Sequence, residues 1–81
     1  MLGAGISDGD ILVVDRSLSP DNGSIIIAAI NGEFTVKRLK LNGKKVFLMP
    51  ENPTYSPIEV NEKNKPEFFG VVTYVIKRLE A

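Results

Sequence analysis

The chain has 81 residues, with ten basic and ten acidic side chains that cancel, no cysteine and no histidine. That inventory excludes disulfide staples, thiolate nucleophiles, Cys/His zinc sites and any Ser-His-Asp triad, and the balanced charge leaves no global field to draw the molecule onto nucleic acid or an anionic membrane. A chain this short fits one small domain that buries only about 60% of its unfolded surface, so a partner chain would supply useful support.

Met1 to Asp10 reads as a loop, ending in the turn formers Ser7-Asp8-Gly9-Asp10. Ile11-Leu12-Val13-Val14-Asp15 is a short apolar run with β-branched residues, expected to be a strand buried on both faces. Arg16 to Gly23 follows as a tight connection, with Pro20 fixing φ and Gly23 reversing the chain. Ser24 to Ile30 contains three consecutive isoleucines, whose branching at Cβ favours strand over helix. The pair Asn31-Gly32 accepts the two successive positive φ angles of a type I′ turn and leads into a return strand, Glu33 to Leu41. A second Asn-Gly, at 42 and 43, joins that strand to Lys44–Met49, which completes a three-stranded meander.

Pro50, Pro53 and Pro57 punctuate the next stretch and predict an ordered loop. Ile58-Glu59-Val60 reads as a short strand, Asn61 to Glu67 as a polar surface excursion, and Phe68 to Leu79 as a long final strand in which Gly70 marks a bulge or a close approach. No convincing helix, repeat or low-complexity segment is evident. The apolar run Phe68–Ile76 falls far short of the ~20 residues of a membrane helix, and the first residues lack a basic leader pattern. The expectation is a cytoplasmic chain with no membrane role.

Strand periodicity places Lys37 on one face with Thr35, Leu39 and Leu41, while Phe34, Val36, Arg38 and Lys40 share the other. Lys37 then has two readings: a snorkelling strand lysine, or an amine whose apolar neighbours disfavour its charged form and so fit it to act as a general base. The basic residues Lys37, Arg38, Lys40, Lys44 and Lys45, flanked by Phe34 and Phe47, suggest either a nucleic-acid surface or a solvated hairpin whose lysines discourage edge pairing, and alternation between faces favours the second. Asp8, Asp10 and Asp15 read as turn chemistry, too few and too irregularly spaced for a hard-cation loop. No metal or cofactor is expected. Tyr55 and Tyr74 read as packing residues with one polar tip.

Several stretches together resemble the LexA/UmuD family of self-cleaving serine peptidases: Gly5 to Asp15 (GISDGDILVVD), Gly32 to Leu39 (GEFTVKRL), Asn52 to Ile58 (NPTYSPI) and Phe69-Gly70-Val71-Val72. The resemblance covers essentially the whole chain. The GEFTVK run, Tyr55-Ser56-Pro57-Ile58 and the closing FGVV look more like the UmuD branch, whereas Val36-Lys37-Arg38-Leu39 and Pro50-Glu51-Asn52 also look like the LexA branch. The resemblance implies a mostly β catalytic domain of the LexA/signal-peptidase type, with short coiled sheets around a small barrel-like core and little or no helix. It also implies a Ser-Lys dyad in which Lys37 is the general base. A homodimer, stimulation of self-cleavage by the RecA filament, and support of an error-prone translesion polymerase by the processed form follow from the UmuD branch. The alternative within the family is the C-terminal dimerisation and autocleavage domain of a LexA-like or phage repressor, whose operator binding belongs to a separate N-terminal domain, so no direct DNA binding is expected of residues 1–81. A more distant alternative is an unrelated small β-barrel that binds nucleic acid through the basic hairpin.

The family's nucleophile sits in a Ser-Met pair ahead of the Gly-Ile-x-Asp-Gly-Asp stretch, and in register Met1 takes the methionine. The serine and the cleavage segment would then precede residue 1, and Ser7 stands several residues beyond the nucleophile position. The 81 residues are accordingly expected to form one peptidase domain that by itself hydrolyses neither its own chain nor a cleavage-site peptide. Turnover abolished by Lys37→Ala would contradict this.

Overall fold

In a computed structural model, residues 2–50 and 56–80 are described. After a short 3-10 turn at Leu2–Ala4, six strands follow in chain order: β1 (Ile11–Asp15), β2 (Ile25–Ile30), β3 (Glu33–Asn42), β4 (Lys45–Met49), β5 (Ile58–Val60) and β6 (Glu67–Ile76). The mostly β fold is the one expected, and no α-helix occurs among the described residues. Most of the proline-punctuated loop, with Tyr55, lies outside the described residues.

The strands join in one antiparallel sheet of order β1-β6-β2-β3-β4-β5. Its local part is the expected meander. Asn31 and Gly32 take φ values of 51° and 82°, the double positive that a type I′ turn demands, and set β2 against β3 with Ile26 opposite Lys37 and Ala28 opposite Thr35. The second turn differs from the expected one: Asn42 is the last residue of β3, paired with Lys45, so Gly43 (φ 60°) and Lys44 form the loop, which sets Leu39 opposite Leu48. The start of β2 is tied down by Leu39 N–H donating to Ser24 O and Gly23 N–H donating to Leu39 O, each at 2.8 Å. The non-local part is β6, which inserts between β1 and β2.

Paired residues point to the same face, so the register sorts the sheet into two sides. One face gathers Ile26, Ala28, Leu39 and Leu48, the buried core cluster, with Ile30, Val46, Ile58, Val60 and Val71 packed against it. The other carries Ile25, Ile27, Ala29, Phe34, Val36 and Arg38 from β2 and β3, all half-buried or exposed. The core is small because only one side of a single sheet packs.

Three sequence expectations change. Ile11–Asp15 is not a strand buried on both faces: among the described residues β1 pairs with β6 alone and forms an edge, leaving Ile11 61% and Val13 41% exposed. A short apolar run gives no signal to separate edge from centre. Tyr74, opposite Val13, is 70% exposed rather than packed. The final strand also ends at Ile76, short of Leu79.

Gly70 fulfils the close-approach expectation. It lies at the irregularity where β6 leaves register with β2 between Ile27 and Ala28, and a Cβ there would sit 2.4 Å from Val14 Cγ1 and 3.2 Å from Asp15 O. Val14 can turn its methyl aside, but the carbonyl cannot move without shifting β1. Gly70→Ala should therefore destabilise the domain by about 1–3 kcal/mol, read as a lower urea midpoint at unchanged slope; an unaltered midpoint would show that the β1–β6 crossing relaxes freely.

Candidate functional site

Lys37 lies on the core face of β3, half-buried, opposite Ile26 and two residues before the buried Leu39. Its Nζ donates to Thr35 Oγ1 at 2.7 Å and reaches Val36 O at 3.5 Å. The first contact follows from strand geometry: residues two apart share a face, so Thr35 can turn its hydroxyl along the strand to meet the amine. Sequence reasoning placed Thr35 beside Lys37 without assigning it this bond; the spacing of two was the available signal.

The amine opens into a cleft of about 650 Å³ bordered by Ile30, Asn31, Glu33, Phe34 and Thr35 on one side and by Pro50, Ser56 and Ile58 on the other. Its position follows from strand lengths. β3 begins at Glu33, but β4 pairs with it only from Arg38 onward. Among the described residues, no strand pairs with the outer edge of Glu33–Lys37, and the cleft lies along that stretch. An extended peptide laid there would meet unpaired main-chain groups and the Lys37 amine together.

The remaining candidates separate. Arg38 points to the opposite face and donates from Nη1 to Gly23 O at 3.2 Å, while Lys40, Lys44 and Lys45 are exposed around the hairpin. The basic cluster is thus split between faces, as alternation requires. Ser7 and Asp10 close the Ser7–Asp10 turn between them: Asp10 Oδ2 accepts from Ser7 N–H at 2.8 Å and Ser7 O accepts from Asp10 N–H at 3.1 Å. Asp15 Oδ1 accepts from the backbone N–H and the hydroxyl of Ser17, at 2.8 and 2.6 Å. Both carboxylates serve turns.

Asp10 also pairs with Lys77 just beyond β6, a contact between the two ends of the chain that sequence reasoning missed because 67 residues separate the partners. The Lys77 hydrogen bond, followed by the Ser7 amide, holds the Asp10 carboxyl below its ordinary value of 3.8; the Ser17 hydroxyl and amide do the same for Asp15.

The described residues thus form a small antiparallel β domain with a lysine amine at an open cleft. The model of the Peptidase S24-like family matches residues 1–73, and the chain belongs to that family. It is 48% identical over 80 residues to a LexA repressor of Acidithiobacillus ferrooxidans, an overlap covering 95% of this chain and 39% of that protein. It is 48% identical over 75 residues to a LexA repressor of Pseudomonas chlororaphis, covering 91% and 37%, and 49% identical over 61 residues to one from Erwinia tasmaniensis, covering 75% and 30%. The chain thus spans about two fifths or less of the length of these relatives. The family expected from the sequence is the one found. Placement nearest to UmuD is not supported: these relatives are LexA repressors, which favours the alternative within the family.

The Asp10 clasp makes a prediction about acid stability. A carboxyl whose folded pKa lies below its unfolded value contributes stability that is complete above the unfolded pKa and disappears as pH falls through the folded one. Asp10→Asn should therefore be less stable than the parent at neutral pH, and the two should converge below pH 3.8 as the parent carboxyl protonates. Urea midpoints measured across the acid range report this; a constant gap between the two chains would rule it out.

Proposed function

We propose that this chain is the dimerising, self-cleaving domain of a LexA-like repressor, with Lys37 as the general base of a Ser-Lys dyad. The observation that carries the reading is the Lys37 amine, held by Thr35 Oγ1 in the cleft beside the outer edge of β3, in a chain 48% identical to named LexA repressors. The nucleophile in this reading is a serine from the segment ahead of Leu2, in the register that gives Met1 the methionine of the Ser-Met pair. The intact protein's cleavage segment lies extended in the cleft. Lys37 takes the hydroxyl proton as the oxygen attacks the scissile carbonyl, then returns it to the departing amine. With no histidine in the chain, a lysine is the available base, and its hydrogen bond to Thr35 Oγ1 holds the amine in place.

Dimerisation rests on β1 and β6. Ile11 pairs with Ile76 and Val13 with Tyr74, and all four are exposed, at 61%, 52%, 41% and 70%. An apolar patch beside an unpaired strand edge is the surface a second copy would cover. Repression would then use this dimer to bring together DNA-binding segments elsewhere in the intact protein, and RecA-stimulated cleavage would end it. Reading the domain as LexA-like replaces the translesion-polymerase role of the UmuD branch.

The test is self-cleavage of the full-length protein, followed as the loss of intact chain on gels. Lys37→Ala should slow cleavage by about 10²–10⁴-fold, and Thr35→Val, which removes one hydrogen bond to the base, by about 3–10-fold. Full-rate cleavage by the Lys37→Ala protein would refute the dyad. For the dimer, Tyr74→Asp should shift sedimentation toward monomer without slowing cleavage within one chain, and an unchanged dimer would move the interface elsewhere.

A further inference from the structure

On the outer face, away from the core, three side chains from distant segments form an ordered array. Phe34 and Phe69 meet edge to face, with centroids 5.4 Å apart and planes at 76°. The Arg16 guanidinium stands 4.3 Å from the Phe69 ring centre, and its Nε donates to Phe69 O at 3.2 Å. One end of the array is therefore finished: the inner ring is covered by a cation that is itself anchored to the backbone. The other end is open, since Phe34 is 68% exposed.

The register places a carboxylate next to that open ring. Glu67 pairs with Ala29, and Ala29 with Phe34, so the three lie in one row on one face. Glu67 and Phe34 are two strand spacings apart, roughly 10 Å at the backbone, with only a methyl between them. Glu67 is exposed, and its carboxylate has no ion-pair or hydrogen-bond partner among the described residues.

We infer that Phe34 and Glu67 form a docking site for a guanidinium group, presented by an arginine-bearing segment of a partner protein. A planar cation stacks on an aromatic face and pairs with a carboxylate at the same time, and this patch offers both within the reach of one arginine side chain. The molecule already displays half of this chemistry internally, where Arg16 covers Phe69. Phe34 also borders the cleft that holds Lys37, whereas Glu67 does not line it, and binding at this patch is read directly, without the proposed cleavage reaction.

The test is an NMR titration of the isotopically labelled chain with a short blocked peptide containing adjacent arginines, beside the same peptide with citrulline in their place. The arginine peptide should shift the amide signals of Ala29, Phe34 and Glu67, and the citrulline peptide, which keeps shape but lacks charge, should not. Phe34→Leu and Glu67→Gln should each weaken binding about two- to five-fold. Equal binding of citrulline, shifts confined to other surfaces, or unchanged affinity in both variants would overturn the site. Oligothymidylate shifting these amides in place of the arginine peptide would also overturn it, in favour of a base-stacking platform. If Phe34→Leu is misfolded, Glu67→Gln alone decides.

Discussion

The pairing of Ile26 with Lys37 across the first hairpin governs the rest of the molecule. Side chains alternate along a strand, so a slip of one residue would exchange the two faces of β3, sending Leu39 out of the core and moving the amine away from the cleft. The Asn31-Gly32 turn makes the correct register the easy one, and the buried Ile26, Ala28, Leu39 and Leu48 make it the favourable one. Thr35 and Lys37 travel with that choice. The same constraint that builds the core therefore aims the amine.

A core on one side of a single sheet leaves much apolar surface uncovered. Only Ile6, Ile26, Ala28, Leu39 and Leu48 are fully buried hydrophobics among the described residues, whereas Phe34, Tyr74, Ile76 and Leu79 are more than half exposed. For a domain of this size the balance between apolar burial and chain entropy is narrow. Close contacts such as Val14 over Gly70 matter more here than they would inside a thick core, and an exposed apolar strand pair at β1 and β6 is tolerable when something covers it.

The sequence was readable where partners are close in the chain. The Asn31-Gly32 turn, the three-stranded meander and the side of β3 that carries Lys37 follow from turn chemistry and a period of two, whereas the second turn falls one residue later than its Asn-Gly suggested, at Gly43 and Lys44. It was opaque where partners are distant. Nothing in Ile11–Asp15 says that the strand lies at an edge, because that depends on β6 arriving from the far end. Arg16, Phe34 and Phe69 come together only through the irregular register of β6 against β2, which shifts a side chain in a way periodicity does not anticipate. The Asp10–Lys77 contact was hidden for the same reason. By periodicity Lys37 was an ambiguous strand lysine, and its role stays a proposal resting on the resemblance, whereas the relatives favour the LexA branch.

The position of β6 also bears on how the protein is made. During synthesis β2, β3, β4 and β5 emerge as successive neighbours and can assemble as they appear, because β3, β4 and β5 each pair with the strand just before them. β1, although first out, has no partner until residues 67–76 leave the ribosome. It must wait unpaired while most of the chain is translated, at about 5–20 residues per second. The cleft around Lys37 can therefore take shape while the β1 edge is still unformed, and the last strand to arrive is the one that joins the two parts of the sheet.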